Sequence, residues 1–448
     1  MSEFCKGDVR TSARGEAIFE RIVSCGSLVL RQVTGTRAGE VGAQRFFASP
    51  YVTTEGLVET FAARAREACG GRRVVVAQDT TEVNFSGRGA RRRGLGPAGD
   101  GRAPGFFIHA SVAIDADEEA VLGLAGAQIW TREAGKVSPR HGRAADEKES
   151  ARWLAGSVAT GELLTGHARE VISVCDREGD IWNHLAHTPE GVELVIRARH
   201  NRPIEDGEPL FETLAATPVL ATSQVVVAPR GPGDKGRVAQ VTLRSRTVHL
   251  RRPAKAPRKD PKLVEIGIVT VVEEAPPPGV KPLLWRLATT LPVATAEQAN
   301  DVVRLYRLRW RIEQVFRALK SDGLRIEETQ VQEAQRLFRL SAMALGAAVR
   351  TIQLVDARDA SSQPMSDVLD ASLVAEVAIL VRDREGATLR QKNPHPEGSL
   401  SWLAWVVARY GGWNCYGKPP GPKTMANGWL RFSATLAGVV IARTNADV

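Results

Sequence analysis

Apolar and polar residues follow three kinds of spacing along this chain, and each kind predicts a different element. Helical spacing runs through residues 16–23 and 54–68 and returns in most of 365–448. Short apolar runs that end in an acid, over 73–79 and 171–176, are typical of buried strands. Alternating runs cover 240–250 and 263–272. The pattern therefore predicts a mixed α/β chain with helical ends.

The central elements are predicted in the order strand, strand, strand, helix, strand, helix, strand. They cover residues 73–79, 106–114, 120–130, 146–158, 171–176, 180–186 and 192–199. Residues 200–284 break this order because they are rich in Pro, Gly and basic residues, and they are predicted to form an inserted β subdomain. A Gly/Arg-rich loop over 86–105 is suited to lie along a phosphate backbone.

Residues 301–320 carry the most informative pattern and are predicted to form one helix. At about 100° per residue, a set of polar side chains shares an arc of roughly 60°: Tyr306, Arg309, Glu313 and Lys320. A separate apolar stripe is predicted to dock on a core: Leu305, Leu308, Ile312, Val315, Phe316 and Leu319. The polar face has the groups to hold a metal ion and a phosphodiester together. A surface helix laced with charge pairs is the alternative.

Charge narrows the class of partner. The 448 residues include 60 Lys and Arg against 51 Asp and Glu, a net charge of +9. This excess favours a nucleic acid, although many basic proteins bind none. The five cysteines are scattered and form no C-x-x-C pair, which argues for a reducing cytoplasm and against a disulfide framework or zinc site. No signal peptide is recognisable and no apolar run approaches 18 residues, so no membrane partner is predicted.

Three acids occupy positions that phosphodiester chemistry could use. Asp79 and Asp176 are predicted to end strands, and Glu313 lies on the later helix. Two Mg²⁺ ions about 4 Å apart would activate the attacking oxygen and stabilise the leaving one, and such ions prefer oxygen ligands. Acids at strand ends also occur in purely structural roles, so their placement alone leaves both interpretations open.

The motifs around these acids resemble those of bacterial DDE transposases of the insertion-sequence-four family. The spacing Tyr306-x2-Arg309-x3-Glu313-x6-Lys320 resembles the family's Y-R-E-K motif. Residues 78–81, Gln-Asp-Thr-Thr, resemble its first-Asp motif, and residues 175–181, Cys-Asp-Arg-Glu-Gly-Asp-Ile, its second. The resemblance covers nearly the whole chain, but residues 1–44 match poorly. The DNA end that the chain would recognise is therefore not implied.

The resemblance implies an RNase H-like catalytic core, a mixed sheet flanked by helices with the β insertion at about 200–284. This core would occupy residues 71–360. A helical N-terminal DNA-binding domain, 1–70, would precede it, and a mostly helical C-terminal dimerisation domain, 361–448, would follow. A helical cap on the core is the alternative for the N-terminal helices.

The resemblance also implies roles for single residues. Asp79, Asp176 and Glu313 would bind two Mg²⁺ ions, for which Mn²⁺ would substitute. The DNA phosphates would be held by Arg197, Tyr306, Arg309 and Lys320. Trp285, 21 positions before the motif tyrosine, would stack on a base flipped out of the transposon end, unless it is a core residue.

The function implied is cut-and-paste DNA transposition. The partners would be the terminal inverted repeats and target DNA, bound by a homodimer in the synaptic complex, in a bacterial cytoplasm at the nucleoid. Two alternatives remain open. One is a catalytically silent protein that binds transposon ends as a regulator or inhibitor. The other is a general metal nuclease of the same fold, which would cleave without preference for an end sequence.

Overall fold

The computed structural model describes residues 4, 8–86, 92–99, 103–132, 149–205, 207–227, 236–321, 323–359 and 361–446. Its α-helices are α1 (Val9–Cys25), α2 (Leu30–Thr34), α3 (Arg37–Ala48), α4 (Thr54–Ala68), α5 (Ala151–Leu164), α6 (Trp182–Ala186), α7 (Leu210–Ala216), α8 (Ala296–Leu308), α9 (Trp310–Lys320), α10 (Ala334–Ala357), α11 (Val374–Arg384), α12 (Leu400–Tyr410) and α13 (Pro422–Ala446). Its strands are β1 (Arg73–Asn84), β2 (Gly96–Ala98), β3 (Ala103–Asp115), β4 (Val121–Trp130), β5 (Glu170–Cys175), β6 (Glu193–Arg197), β7 (Ala221–Val227), β8 (Arg237–Arg251), β9 (Leu263–Val272) and β10 (Leu284–Thr289).

The chain divides into two compact units. The first contains the described residues of Met1–Arg72, Asp79–Val137 and Trp310–Val448, and the second those of Arg73–Gln78 and Ser138–Arg309. Strand β1 therefore contributes its first six residues to the second unit and the rest to the first.

The first unit has a small antiparallel sheet covered by helices. Strand β3 pairs antiparallel with β2 and β4 and is also hydrogen-bonded to β1. Helix α10 packs against α4, α9 and β4 and is buried along most of its length. It is the one helix in the described ranges that is long and apolar enough to cross a membrane. Because 89% of that apolar window is buried inside the protein, the core of a globular unit explains its composition.

The second unit has a longer mixed sheet, ordered β1-β5-β6-β10-β9-β8-β7. The β1–β5 and β5–β6 pairs are parallel, and the remaining pairs are antiparallel. Helix α5 packs on β5, and α8 packs on β6, β8, β9 and β10. The two parallel pairs are buried on both faces, which explains why their strands read as continuous apolar runs.

The predicted mixed α/β class is confirmed, and its strands and flanking helices agree with an RNase H-like core. Strands β8 and β9 lie where alternation predicted them, and with β7 they form the predicted β insertion. The division into domains 1–70, 71–360 and 361–448 stays a prediction.

Several predicted boundaries were wrong, although helix α4 does begin at residue 54 as its spacing predicted. Thr53 caps α4 by accepting a hydrogen bond from the N–H of Gly56. The helix predicted over 146–158 occupies Ala151–Leu164, and 146–148 lie outside the described residues. The predicted loop over 86–105 contains β2 and the start of β3, while 87–91 and 100–102 are likewise not described.

Candidate active site

Asp79 lies within a strand rather than at its end, so the predicted boundary was wrong. Pairing between β1 and β5 covers only Arg73–Ala77 of β1, two residues before this acid. Strand β1 then continues to Asn84, and the described residues of β3 supply its partner there. The Asp79 carboxylate is half-buried, and its Oδ1 accepts a hydrogen bond from the N–H of Thr80 at 2.8 Å. The acid thus stands just past the last parallel pair.

Asp176 directly follows β5, as predicted. The buried run of β5 ends at Cys175, and the half-buried Asp176 caps a single 3-10 turn, Arg177–Gly179. Its Oδ1 accepts a hydrogen bond from the N–H of Glu178 at 2.7 Å. Gly179 is required in this turn because a Cβ there would lie 2.6 Å from the Cβ of Cys175. The carboxylate is therefore held by a short, closely packed turn.

The single helix predicted over 301–320 is two helices. Helix α8 ends at Leu308, and the N–H of Arg309 bonds to the carbonyl of Tyr306, three residues back, at 3.2 Å. Helix α9 starts at Trp310. Tyr306 therefore lies on α8, whereas Glu313 and Lys320 lie on α9.

The apolar stripe of both helices is buried as predicted. Leu305 and Leu308 of α8 are buried in the second unit. Ile312, Val315 and Leu319 of α9 are fully buried in the first unit. Each helix therefore docks through its own part of the stripe.

Glu313 and Lys320 share one face of α9 because they are seven residues, or two turns, apart. Glu313 is half-buried and lies in the first turn, where a negative charge is favoured by the helix dipole. Lys320 Nζ donates to the carbonyl of Glu82 in β1 at 2.6 Å and lies 3.6 Å from Glu327 Oε1. The first unit therefore brings the end of α9 against the part of β1 that follows Asp79.

Glu327 is a residue that the sequence reasoning missed. Its Oε1 accepts a hydrogen bond from the N–H of Asn84 at 3.3 Å, in addition to facing Lys320. An open cleft of about 690 Å³ lies beside it and is lined by Phe316, Arg317, Lys320, Ser321, Arg325, Glu327 and Glu328. The only indication of Glu327 in the sequence was that three of the four residues 325–328 are charged, a pattern that also fits a solvent-exposed turn.

In the second unit, Trp285 and Tyr306 lie in contact. Their ring centroids are 5.2 Å apart and the ring planes are inclined by 67°. Trp285 is half-buried on β10, while Tyr306 is only 6% exposed and so does not lie on an open face of its helix. The two predicted DNA-binding aromatics are therefore brought together.

Basic side chains surround the phenol of Tyr306. Burial raises the pKa of Tyr306, whereas the positive charges of Arg309 and Arg197 and a hydrogen bond with Arg197 lower it, and Asp176 raises it further. The phenol is neutral near pH 7, as an unperturbed tyrosine also is. Arg197 also donates from Nη2 to the carbonyl of Leu284 at 3.2 Å. Arg197, Arg309 and Asp176 thus share one electrostatic environment with the aromatic pair.

The three acids provide suitable donors for a divalent ion. Each carboxylate is half-buried, and Mg²⁺ and Mn²⁺ prefer carboxylate oxygen. Among the residues that the structure describes, no group of three or more His, Cys, Asp or Glu side chains is placed to hold a metal ion. Asp79 and Glu313 belong to the first unit and Asp176 to the second. A shared metal site of the three acids stays a prediction.

A comparison with protein families adds an independent observation. Residues 180–350 match the family model described as a transposase DDE domain. This match supports a DDE transposase family, as the motifs predicted. The matched DDE segment contains most of the predicted site, namely Arg197, Trp285, Tyr306, Arg309, Glu313 and Lys320. It spans fewer than half of the 448 residues, begins four residues after Asp176 and does not include Asp79.

Proposed function

We propose that the protein is a cut-and-paste DNA transposase of the insertion-sequence-four family, similar to the transposase of transposon five. The observation that carries this proposal is the match of residues 180–350 to the transposase DDE domain. The spacing of Tyr306, Arg309, Glu313 and Lys320 inside that segment supports the finer assignment. The first two acid motifs, around Asp79 and Asp176, support it from outside the match.

The three acids would form the metal centre. Asp79, Asp176 and Glu313 would together hold two Mg²⁺ ions. When bound, such ions supply activation of the attacking oxygen and charge stabilisation at the leaving oxygen. Mn²⁺ would substitute because it accepts the same oxygen donors.

The basic and aromatic side chains would hold the DNA. Lys320 and Arg309 would bind phosphates of the cleaved strand, and Arg197 would do the same while orienting Tyr306. Trp285 would stack on a flipped base, which offsets part of the unstacking cost by about 1 to 3 kcal/mol. These contacts would fix the scissile phosphate relative to the acids.

The reaction would proceed by successive substitutions at phosphorus. Water attacks the phosphodiester at the transposon end and the 3′-oxygen leaves. That 3′-hydroxyl attacks the opposite strand to form a hairpin, a second water opens the hairpin, and the 3′-hydroxyl then attacks target DNA. Each step forms one P–O bond and breaks one, so no covalent protein intermediate is needed. Pairing two ends would require a homodimer, with 361–448 as the contact region.

Cleavage of the DNA that flanks the reading frame tests the proposal. With Mg²⁺, the wild-type protein should nick fragments carrying the terminal inverted repeats and spare a scrambled sequence. Glu313→Gln should lose at least about 100-fold in rate, more than the 10- to 100-fold typical of residues that only support a metal ligand. Glu297→Gln, at an exposed glutamate in the first turn of α8, is the control and should cleave normally.

Three other outcomes would contradict the proposal. Equal cleavage by Glu313→Gln and wild type would remove Glu313 from the metal centre. Specific binding of the repeats with no nicking in Mg²⁺ or Mn²⁺ would identify a silent end-binding regulator. Cleavage of all sequences alike would identify a general nuclease.

A further inference from the structure

A network of buried polar side chains lies in the second unit, among residues that are otherwise apolar. It consists of Gln78 on β1, Ser157 on α5, Ser173 on β5 and His184 on α6, and we call these four the buried polar network. All four residues are 0% exposed. The only indication of them in the sequence is weak: Gln78 follows one apolar run and Ser173 interrupts another.

The members are joined by hydrogen bonds of ordinary length. Gln78 Nε2 donates to Ser157 Oγ at 2.9 Å and to Ser173 Oγ at 2.7 Å. The two serine hydroxyls lie 2.9 Å apart. His184 Nε2 lies 2.9 Å from Ser157 Oγ, and His184 Nδ1 lies 3.2 Å from the carbonyl oxygen of Gly179.

The donor and the acceptor of each hydrogen bond can be assigned by starting from the bond between His184 and Gly179. The carbonyl of Gly179 can only accept, so His184 Nδ1 carries the proton and donates to it. In the neutral ring Nε2 then accepts from the hydroxyl of Ser157, and Ser157 accepts from Ser173 and Gln78. Burial lowers the pKa of His184 to about 4, in accord with a neutral ring. Each bond then has one donor and one acceptor, as a buried network requires.

The two ends of the network lie next to two predicted metal ligands, Asp79 and Asp176. Gln78 immediately precedes Asp79, and the Gly179 carbonyl closes the turn that Asp176 caps. Ser173 lies on β5, three residues before Asp176. The network therefore ties the backbone before one acid to the strand and turn that hold the other.

Helix α5 is shaped around this network. A Cβ at Gly156 would lie 2.3 Å from Oε1 and 3.0 Å from Cδ of Gln78, so glycine allows the amide to sit against the helix. Glycine inside a helix is less favourable than alanine by roughly 1 kcal/mol. A residue that weakens the helix therefore occupies the position where any side chain would clash with the amide of Gln78.

We propose that the buried polar network positions the carboxylates of Asp79 and Asp176 for phosphodiester chemistry. The inference rests on the proposed function and adds positioning residues to it. A purely structural network would affect only the stability of the protein. A positioning network affects the catalytic step and metal affinity at unchanged folding, because residues that support metal ligands typically contribute about 10- to 100-fold.

Two variants test this without removing a charged group. Ser173→Ala deletes one hydroxyl of the network. Gly156→Ala displaces the Gln78 amide while raising the intrinsic helix propensity of α5. Leu214→Ala, at a fully buried position of α7, is the control for lost stability. His184→Gln, which can still donate and accept, is the conservative variant.

The full-length variants are compared in three measurements: kcat and KM for DNA cleavage, Mn²⁺ affinity by titration calorimetry, and Tm. Ser173→Ala and Gly156→Ala should lower kcat and Mn²⁺ affinity by about 10- to 100-fold with little change in the KM for DNA. Leu214→Ala should lower Tm and leave kcat and Mn²⁺ affinity near wild type, and His184→Gln should recover most of the rate that His184→Phe loses.

The failures can be told apart. If the wild-type protein cleaves DNA but Ser173→Ala and Gly156→Ala behave like Leu214→Ala, the positioning role is wrong and the proposed function stands. If the wild-type protein neither cleaves the terminal repeats nor binds Mn²⁺, the proposed function is wrong and this inference falls with it.

Discussion

The indole of Trp285 packs edge-on against the phenol ring of Tyr306, with the ring centroids 5.2 Å apart. The contact joins β10 to α8, and Arg197 on the neighbouring strand β6 bonds both to Tyr306 and to the backbone beside Trp285. Aromatic pairs in this geometry contribute about 0.5 to 1.5 kcal/mol beyond the area that they bury. The pair therefore restrains a half-exposed indole to one orientation.

An indole held in this way should stack on a displaced base. We expect Trp285→Ala to slow processing of a transposon end by about 5- to 150-fold, the equivalent of about 1 to 3 kcal/mol of stacking. Trp285→Phe should retain most of the rate. The measurement is hairpin formation on DNA that carries 2-aminopurine next to the end, whose fluorescence reports unstacking. Leu284→Ala, at the exposed neighbouring position on β10, is the control, and an equal loss there would contradict a specific role.

Lys320 should contribute one phosphate contact. Its ammonium group is held by Glu82 and Glu327, and both it and Glu327 are partly exposed, so DNA can compete for it. Lys320→Met should weaken DNA binding and reduce the slope of log K against log salt by about one. Glu327→Gln should strengthen binding, because it removes the competing anion.

The check for Lys320 is a salt titration of binding by fluorescence anisotropy. Lys392→Met is the matched control, since Lys392 pairs with Glu385 at 3.2 Å and carries no predicted role in DNA binding. An unchanged slope for Lys320→Met, or the same change for Lys392→Met, would show that Lys320 makes no phosphate contact.

Periodic elements could be predicted from the sequence because their patterns are local. Alternation over 240–250 predicted β8, in which buried and exposed residues largely alternate. The run over 263–272 predicted β9, which is buried at six consecutive residues, 266–271, and so has both faces covered. The extension of β1 beyond Asp79 was missed because the acid interrupts an apolar run. Thr80, Thr81 and Val83, which are β-branched, were the available signal for it.

Features that depend on tertiary packing could not be predicted in this way. No Gly or Pro occurs in residues 301–320, so nothing local indicated the turn at Arg309. The site residues were proposed from the spacing of the family's motifs. That spacing relates Trp285 to Tyr306 along the sequence but does not predict that their rings are in contact. The partners of Gln78 lie 79 and 95 residues away along the chain, beyond the reach of any periodicity.

Gly346 should be required for the packing of α10 against α4. A Cβ at this position would lie 2.5 Å from two ring atoms of Phe61, which is buried in the same unit. Gly346→Ala should therefore destabilise the protein by about 1 to 3 kcal/mol through overpacking. Gly438→Ala in α13 meets no atom within 4 Å and should stabilise by about 0.5 to 1 kcal/mol. Chemical denaturation distinguishes the two, and a stabilising Gly346→Ala would show that Phe61 has room to move.

His184 should make stability depend on pH in the acid range. Burial lowers the pKa of His184 from 6.5 to about 4, so between these values the unfolded chain takes up a proton that the folded chain does not. Stability should therefore fall as the pH drops from about 6.5 toward 4, by a few kcal/mol at most, since a tenfold change in proton affinity corresponds to about 1.4 kcal/mol.

The difference between wild type and His184→Gln isolates this effect. Burial raises the pKa of Asp356 and of Asp367 to about 6, so these acids stabilise the folded state as the pH falls and oppose His184. Asp356 and Asp367 are present in both proteins, so their contributions cancel when the unfolding free energies of the two proteins are subtracted. The unfolding free energy of wild type relative to His184→Gln should decline between pH 6.5 and 4. A difference that does not change with pH would mean that His184 titrates alike in the folded and unfolded chains, and that its ring is not held neutral by the network.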